Sequence, residues 1–312
     1  MPELPEVTVI VNQLDKKLKG LVLSSLEYDW PKKFYWNGFS IKDLKGAKIV
    51  GVRRLGKVFV IDLVHGSVGR WVGWNGTKPT NLPIYKPTNL SILIHLKLTG
   101  QLIYQDAKTR VAGGHPIPPL DLPSPNKITR VTFTFTNHGK LYFNDMRKFG
   151  WVKIVDSEES KVKEAIGMEL GPDPLVMSYD EFRERLKAKG QSRIKKLLMD
   201  QSFIAGIGNI YSDEALWRAK IHPKRSAISL KPLEIRRLFD GIRESLKLAI
   251  EKGGSSANAY VDSGGERGLY LLFAKAYHMT GKPCERCKTP IVREKMDGRS
   301  AHFCPKCQVK LD

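Results

Sequence analysis

Apolar residues along this chain fall into three textures, and the changes between them divide it. Over residues 5–19, Val7, Ile10, Val11, Leu14 and Leu18 recur at the spacing of a helix with one buried face, with Pro5 in its first turn and Gly20 at its end. From about residue 47 to 154 the period shortens to two. "VTFTFT" (131–136) alternates Val131, Phe133 and Phe135 with three threonines, which predicts a half-buried strand, and "NHG" turns it into "KLYF". Further strands are expected at 48–53, 57–63, 91–96, 101–105 and 150–155. This half reads as an antiparallel sandwich or barrel. Residues 156–174 read as a charged connector containing Gly and Pro, after which the helical period returns. Ser178 and Glu181 of "SYDE" form a capping-box pattern for a helix running to Gly190, and another helix covers 192–201. A third begins near Asn209. A fourth, 232–252, carries Ile235, Leu238, Phe239, Ile242 and Leu246 on one face and stops at Gly253-Gly254. The chain closes as a small β-hairpin.

The expected class is therefore α+β and multidomain. Residues 1–155 form a β-sandwich or barrel flanked by helices, 156–174 a linker, 175–275 a helical domain and 276–312 a cysteine-bearing hairpin. Two stretches interrupt the pattern. "KPTNL" occurs at 78–82 and again at 86–90, and residues 113–126 hold five prolines and two glycines, the composition of an irregular surface loop. No chemistry is assigned to these insertions (75–90 and 106–127).

Charge narrows the partners. Lys and Arg total 52 against 32 Asp and Glu, a net +20, which favours a polyanion: nucleic acid first, an anionic membrane surface second. No apolar run approaches the roughly 18 residues of a spanning helix, and the first seven residues carry two acids and no basic residue, unlike a secretory signal. A cytosolic protein is expected. All four cysteines lie in the last 29 residues as C-x2-C-x16-C-x2-C: Cys284, Cys287, Cys304 and Cys307. Two thiolates on a tight turn grip one face of a tetrahedral ion and a second pair closes the site. Two disulfides are the alternative, which a reducing cytosol disfavours. One structural Zn2+ is expected, with no coordination position left open.

The chain opens "MPELPEV", placing Pro2 beside Glu3 and Glu6 at or just before a helix N-terminus, where the helix dipole stabilises negative charge. In "IAGIGNIYSDEALWRAK" (204–220), glycines lead into Asn209 and a helix start, whose exposed N–H groups and amide could hold a phosphate. A dinucleotide fingerprint would need glycine where Tyr211 stands. Lys57 follows a tight turn in "RRLGKVF", where a lone lysine is ordinarily a solvated charge. His95, in the apolar strand "IHLKLTG", would ordinarily be a satisfied core histidine. "NDMRKFG" sets Arg147, Lys148 and Phe149 between two strands, either as a capped core residue or as a wedge for a base stack with cations on phosphate.

These motifs lie in one order along the whole chain: "PELPEV", "RRLG" before lysine, "HLKLTG", "RKFG", "GIGNIYSDEALWRAKIHP" and "GRSAHFCPKCQ". In that order they resemble the bacterial formamidopyrimidine-DNA glycosylases, in the superfamily shared with endonuclease VIII. The resemblance implies a helix–two-turns–helix DNA-binding domain, a zinc finger, and a bifunctional glycosylase and AP lyase of base excision repair acting on oxidised purines in damaged duplex DNA. It implies that methionine is removed and the Pro2 nitrogen attacks C1′ of the damaged nucleotide, forming a Schiff base. Glu3 then matches the acid/base, Glu6 a carboxylate shaping the site, and Lys57 the lysine on phosphate and damaged nucleotide. Leu98, Arg147 and Phe149, with Lys148 beside them, match the side chains that fill the gap left by the extruded nucleotide. Asn209 and Arg299 match a phosphate-pinching pair, Lys195 a lysine near the lesion and His95 a histidine near the DNA backbone.

Two positions depart from the pattern: Leu98 stands where methionine is usual, and Tyr277-His278-Met279 where Tyr-Gly-Arg is usual. Segment 255–272 corresponds to a loop over the flipped base. An endonuclease VIII-like preference for oxidised pyrimidines, or a non-catalytic zinc-dependent DNA-binding protein, are the alternatives. A monomer associated with a bacterial nucleoid is expected.

Overall fold

The computed structural model describes residues 2–65, 88–115, 117–167, 169–255 and 268–310. The first KPTNL copy, the start of the second and most of segment 255–272 lie outside the described residues. In the first half, helix α1 (Leu4–Leu18) is followed by strands β1 (Leu23–Tyr28) and β2 (Phe34–Tyr35), the short helix α2 (Ile41–Leu44), and eight further strands. These are β3 (Lys48–Leu55), β4 (Val58–His65), β5 (Thr88–His95), β6 (Gly100–Gln105), β7 (Arg110–Gly114), β8 (Thr129–Phe135), β9 (Lys140–Asp145) and β10 (Trp151–Asp156). They form two five-stranded sheets, in the orders β1-β8-β9-β6-β7 and β2-β10-β5-β4-β3. All pairings are antiparallel except the short β2–β10 ladder. The inward faces meet in one apolar core: Phe59, Ile61, Ile92 and Ile94 of one sheet, Leu102, Tyr104, Val131, Phe133 and Phe143 of the other, and Val7, Ile10, Leu14 and Leu18 of α1. Alternation along the strands and three-and-four spacing along α1 thus serve the same core.

The second half is helical. It contains α3 (Glu159–Ile166), α4 (Tyr179–Ala188), α5 (Ile194–Met199), α6 (Asn209–Ala219) and α7 (Pro232–Glu251), then the hairpin β11 (Val292–Met296) and β12 (Arg299–Phe303). The capping pattern at 178–181 is real in its first half: Ser178 Oγ accepts from Glu181 N at 3.1 Å. Phe182, Leu197, Phe203, Ile207, Tyr211, Leu216, Leu238, Ile242 and Leu246 build a separate core. The chain is thus mixed α+β, with a β-rich N-terminal part, a helical part and a C-terminal hairpin.

Three elements differ from expectation. The 156–174 segment is not bare connector. It contains α3, whose Val162 and Ile166 pack with Val155 and Leu93 against the outer face of a sheet. β1 was not expected, because its "LSSLEY" buries only Leu23 fully. β7 enters the segment read as irregular, and it ends in two glycines. A Cβ at Gly114 would lie 2.4 Å from the Gly100 carbonyl oxygen, so the ladder can close there only with glycine.

Candidate active site

The two cores meet at the start of α1. Leu4 belongs to the helical core while Val7 onward belongs to the sandwich, so the first helix straddles the joint. Leu4 N donates to Gly206 O at 2.9 Å, and a Cβ at Gly206 (φ +91°) would lie 2.7 Å from Leu4 Cβ. Two residues on, a Cβ at Gly208 would lie 2.4 Å from the Glu3 carboxyl carbon. The glycines of "GIGN" are therefore there to let α1 lie against the turn.

That contact corrects one expectation. The N–H groups at the start of α6 are not free for a phosphate, because Glu3 occupies them. Its Oε2 accepts from Gly208 N at 2.8 Å and Tyr211 N at 3.4 Å, and its Oε1 from Ile210 N at 3.0 Å. Its own N–H donates to Glu6 Oε2 at 2.8 Å. Glu6 Oε1 in turn accepts from the Tyr211 hydroxyl at 2.6 Å and from Ser255 N at 2.8 Å. Burial raises the Glu3 carboxyl above the usual carboxylate range; Lys57 and the donating N–H groups oppose this, while Glu6 adds to it. Pro2 precedes Glu3, is half-buried, and is not among the residues that line the cleft described below.

Lys57 sits in the β3–β4 turn itself, not at a strand start. Gly56 and Lys57 are its two loop residues, with Gly56 at φ +55°. Lys57 is 7% exposed and its Nζ donates to Ile207 O at 2.8 Å. Burial lowers its ammonium pKa, and the carboxylates of Glu3 and Glu6 work against that. His95 is buried beside Trp151, ring centroids 5.6 Å apart, and its Nδ1 accepts from Lys97 N at 2.9 Å. Burial and the nearby lysines hold it neutral, with a pKa pushed down to about 3, so Nε2 carries the proton. Glu3, Lys57, His95, Leu98, Asn209 and Arg299 all line one cleft of about 780 Å³ between the sandwich, the helical part and the hairpin.

Arg147, Lys148 and Phe149 occupy the β9–β10 turn, outside that lining. Arg147 and Phe149 are exposed, the guanidinium 4.6 Å from the ring centre, and the Lys148 ammonium lies 4.2 Å over Trp30. Phe149 therefore does not cap the core. Asp145 holds the turn: its carboxylate accepts from Gly150 N at 2.7 Å, Arg147 N at 3.2 Å and the Thr99 hydroxyl. Lys195 is not on the cleft wall. It is 4% exposed, with its ammonium on Asp213 and on Ser300 O at 3.0 Å, and Asp213 also takes His302 N at 3.0 Å. This lysine binds α5, α6 and the hairpin together.

Sequence reasoning missed Gln201, Tyr211, Asp145 and Asp213. Gln201 Oε1 accepts from Gly206 N at 2.9 Å and its Nε2 donates to Ile207 O at 2.8 Å, fixing the turn on which Glu3 rests. Tyr211 carried a signal, a phenol where a nucleotide fold wants glycine, but its partner Glu6 is 205 residues away.

At the hairpin, the sulfur atoms of Cys284, Cys287, Cys304 and Cys307 all lie within 4.8 Å of one another. Four soft thiolates so gathered suit tetrahedral zinc at about 2.3 Å per bond. The turn joining β11 and β12 is Asp297-Gly298, both at positive φ, which carries Arg299 back toward the cleft.

Three family models cover the chain: the formamidopyrimidine-DNA glycosylase N-terminal domain over residues 1–152, its H2TH domain over 170–261, and the zinc finger found in FPG and IleRS over 281–309. The formamidopyrimidine-DNA glycosylase of Pelotomaculum thermopropionicum is 36% identical over 99% of each chain, and that of Enterococcus faecalis 34% identical over 99% of this chain and 97% of its own. The chain belongs to the formamidopyrimidine-DNA glycosylase family. Among solved structures, the Lactococcus lactis enzyme with abasic-site DNA matches at 31% identity with a TM-score of 0.77, and MutM with DNA containing carbocyclic 8-oxo-G at 32% and 0.78. Each match covers 99% of this chain and all of the other. The helical part is thus the family's H2TH domain, and the cysteine hairpin its zinc finger, holding one structural zinc.

Proposed function

We propose that this glycosylase removes oxidised purines with Pro2 as nucleophile, and that Glu3, Lys57 and the cleft around them carry the reaction. The observation that carries the proposal is the burial of the N-terminal segment. A chain start is ordinarily frayed, yet here Glu3 is 4% exposed and held by three backbone N–H groups of the H2TH domain. Once Met1 is removed, the Pro2 nitrogen is a secondary amine in the α-amino range of about 7.7–8.0, so a useful fraction is neutral at cellular pH. It forms a bond to C1′ as the bond from C1′ to the damaged base breaks, and the proton that the nitrogen sheds goes to the departing base. Glu3, whose pKa burial raises, delivers a proton to the ring oxygen as the sugar opens to the iminium. The iminium acidifies C2′; the Glu3 carboxylate takes a C2′ proton as the 3′ phosphate leaves, and loss of the C4′ proton then expels the 5′ phosphate, so β- and δ-elimination cut the strand on both sides and complete the AP lyase reaction. Lys57 places a cation against the phosphate and the damaged nucleotide. Glu6 orients Glu3 through its N–H.

The nucleotide must leave the stack to reach this cleft. Phe149, Arg147 and Leu98, with Lys148, fill the space it vacates, while Asn209, Arg299 and His95 hold the backbone. A duplex DNA partner is supported by the relatives solved with DNA and by the net +20, which favours a polyanion; among the described residues no helix is long and apolar enough to cross a membrane. The protein acts as a monomer on chromosomal DNA in the bacterial cytoplasm. The test is excision from duplexes carrying 8-oxoguanine, a formamidopyrimidine or dihydrouracil. Purine lesions should be released at least about 10-fold faster, a difference of about 1.4 kcal/mol in transition-state binding. Equal or faster release of dihydrouracil would favour the endonuclease VIII-like alternative.

A further inference from the structure

Within the cleft one side chain has no part in the scheme above. His278 lines it, is exposed, and sits at φ +60°, a backbone conformation that side chains other than glycine rarely adopt. The backbone leading to it is fixed: the N–H groups of Lys275, Ala276 and Tyr277 all donate to the buried Glu214 carboxylate of α6, at 2.9 Å or slightly longer. The ring lies 4.6 Å from that of Tyr277, tilted 35°, and Tyr277 and Asn209 line the same cleft. Among the described residues neither imidazole nitrogen has a hydrogen-bond partner, so both are available to a ligand. Arg293, Arg299 and Lys57 face the same space, and the one carboxylate among its lining residues, Glu3, is taken up by α6. The surroundings are those of an anion site.

We propose that His278 binds the DNA backbone, donating from its imidazole to a phosphate oxygen beside the one held by Asn209 and Arg299. The proposal rests on the reading of this cleft as the DNA site. The imidazole N–H is the donor such a contact needs, and the cations around it draw the anion there. Tyr277, His302 with its partner Asp213, Arg293, Arg299, Lys57, Lys97, Glu3 and His95 are the other titratable or charged groups in and around this space, and all are unchanged in the variants below.

The experiment measures affinity for a duplex with an uncleavable abasic-site analogue. The zinc-loaded protein is compared with His278→Gly and His278→Gln. His278→Gly should bind roughly 3- to 10-fold more weakly, the loss of one hydrogen bond to phosphate. Its Tm should not fall, because glycine relieves the left-handed backbone. His278→Gln, which keeps an N–H donor, should recover most of that affinity. A His278→Gly variant that shares the parent's affinity would overturn the proposal. Failure of the parent itself to bind the lesion duplex would instead overturn the reading of the cleft.

Discussion

Glu3 shows how one carboxyl serves two ends. Its oxygens close three N–H groups at the start of α6, which by themselves stabilise the charged form, yet complete burial outweighs them and raises its pKa. The direction fixes a prediction. In the proposed reaction the Pro2 amine must be neutral to attack, so rate should climb with pH as that amine is deprotonated. Glu3 must there be protonated, so rate should fall as pH passes its raised pKa; the profile of kcat/KM should be bell-shaped. Glu3→Gln should lower excision at least about 100-fold and remove the alkaline limb, with DNA binding retained. A variant that keeps the alkaline limb would assign that limb to another group. Much of this was legible in residues: a proline and two carboxylates at a helix start announced themselves. Which group would meet the Gly-rich turn did not, because nothing in "GIGN" distinguishes a bound phosphate from the protein's own Glu3.

At the scale of elements, the β9–β10 turn and the zinc hairpin each depend on one organising feature. Asp145, 1% exposed, holds Arg147 N, Gly150 N and Thr99. Asp145→Ala would leave buried donors unpaired at about 1–3 kcal/mol each and release the loop that presents Phe149. Base extrusion, followed by 2-aminopurine fluorescence opposite or beside the lesion, should slow by an order of magnitude or more, whereas extrusion at the parental rate would mean the loop keeps its shape without Asp145. The hairpin has a small apolar cluster of its own, Met296, Ala301 and Phe303, so its fold is carried by the ion. Chelation, or Cys304→Ser, should abolish DNA binding while near-ultraviolet circular dichroism of the sandwich aromatics persists; full affinity after verified metal loss would contradict this. The strands with clean alternation, such as β8 and β4, were readable because each has one buried face. α3 and β7 were not: the first is eight residues with two buried apolar positions, the second is defined by a glycine contact across the sheet.

The two large cores meet at the start of α1, and the cysteine hairpin is tied to α5 and α6 through Lys195 and Asp213. Leu4 lies in one core and Val7 in the other, so separating the halves would dismantle the N-terminal site. The long separations explain what sequence could not give. Glu3 meets residue 210 and Lys195 meets Ser300, pairings that exist only once both halves are folded. Lys195, read as facing a lesion, is spent on holding α5 to α6 and the hairpin. The central claim is that the Pro2 nitrogen is the nucleophile, and the borohydride trap tests it most directly. Protein with Met1 removed and protein retaining it are each incubated with an 8-oxoguanine duplex and borohydride, and the covalent complex is measured. In the retained form the nitrogen is an amide, whose lone pair is delocalised and cannot attack. The processed form should cross-link, and the blocked form should bind the duplex without forming an adduct. An equal yield of adduct from the blocked form would contradict the account and move the nucleophile elsewhere, to Lys57 first.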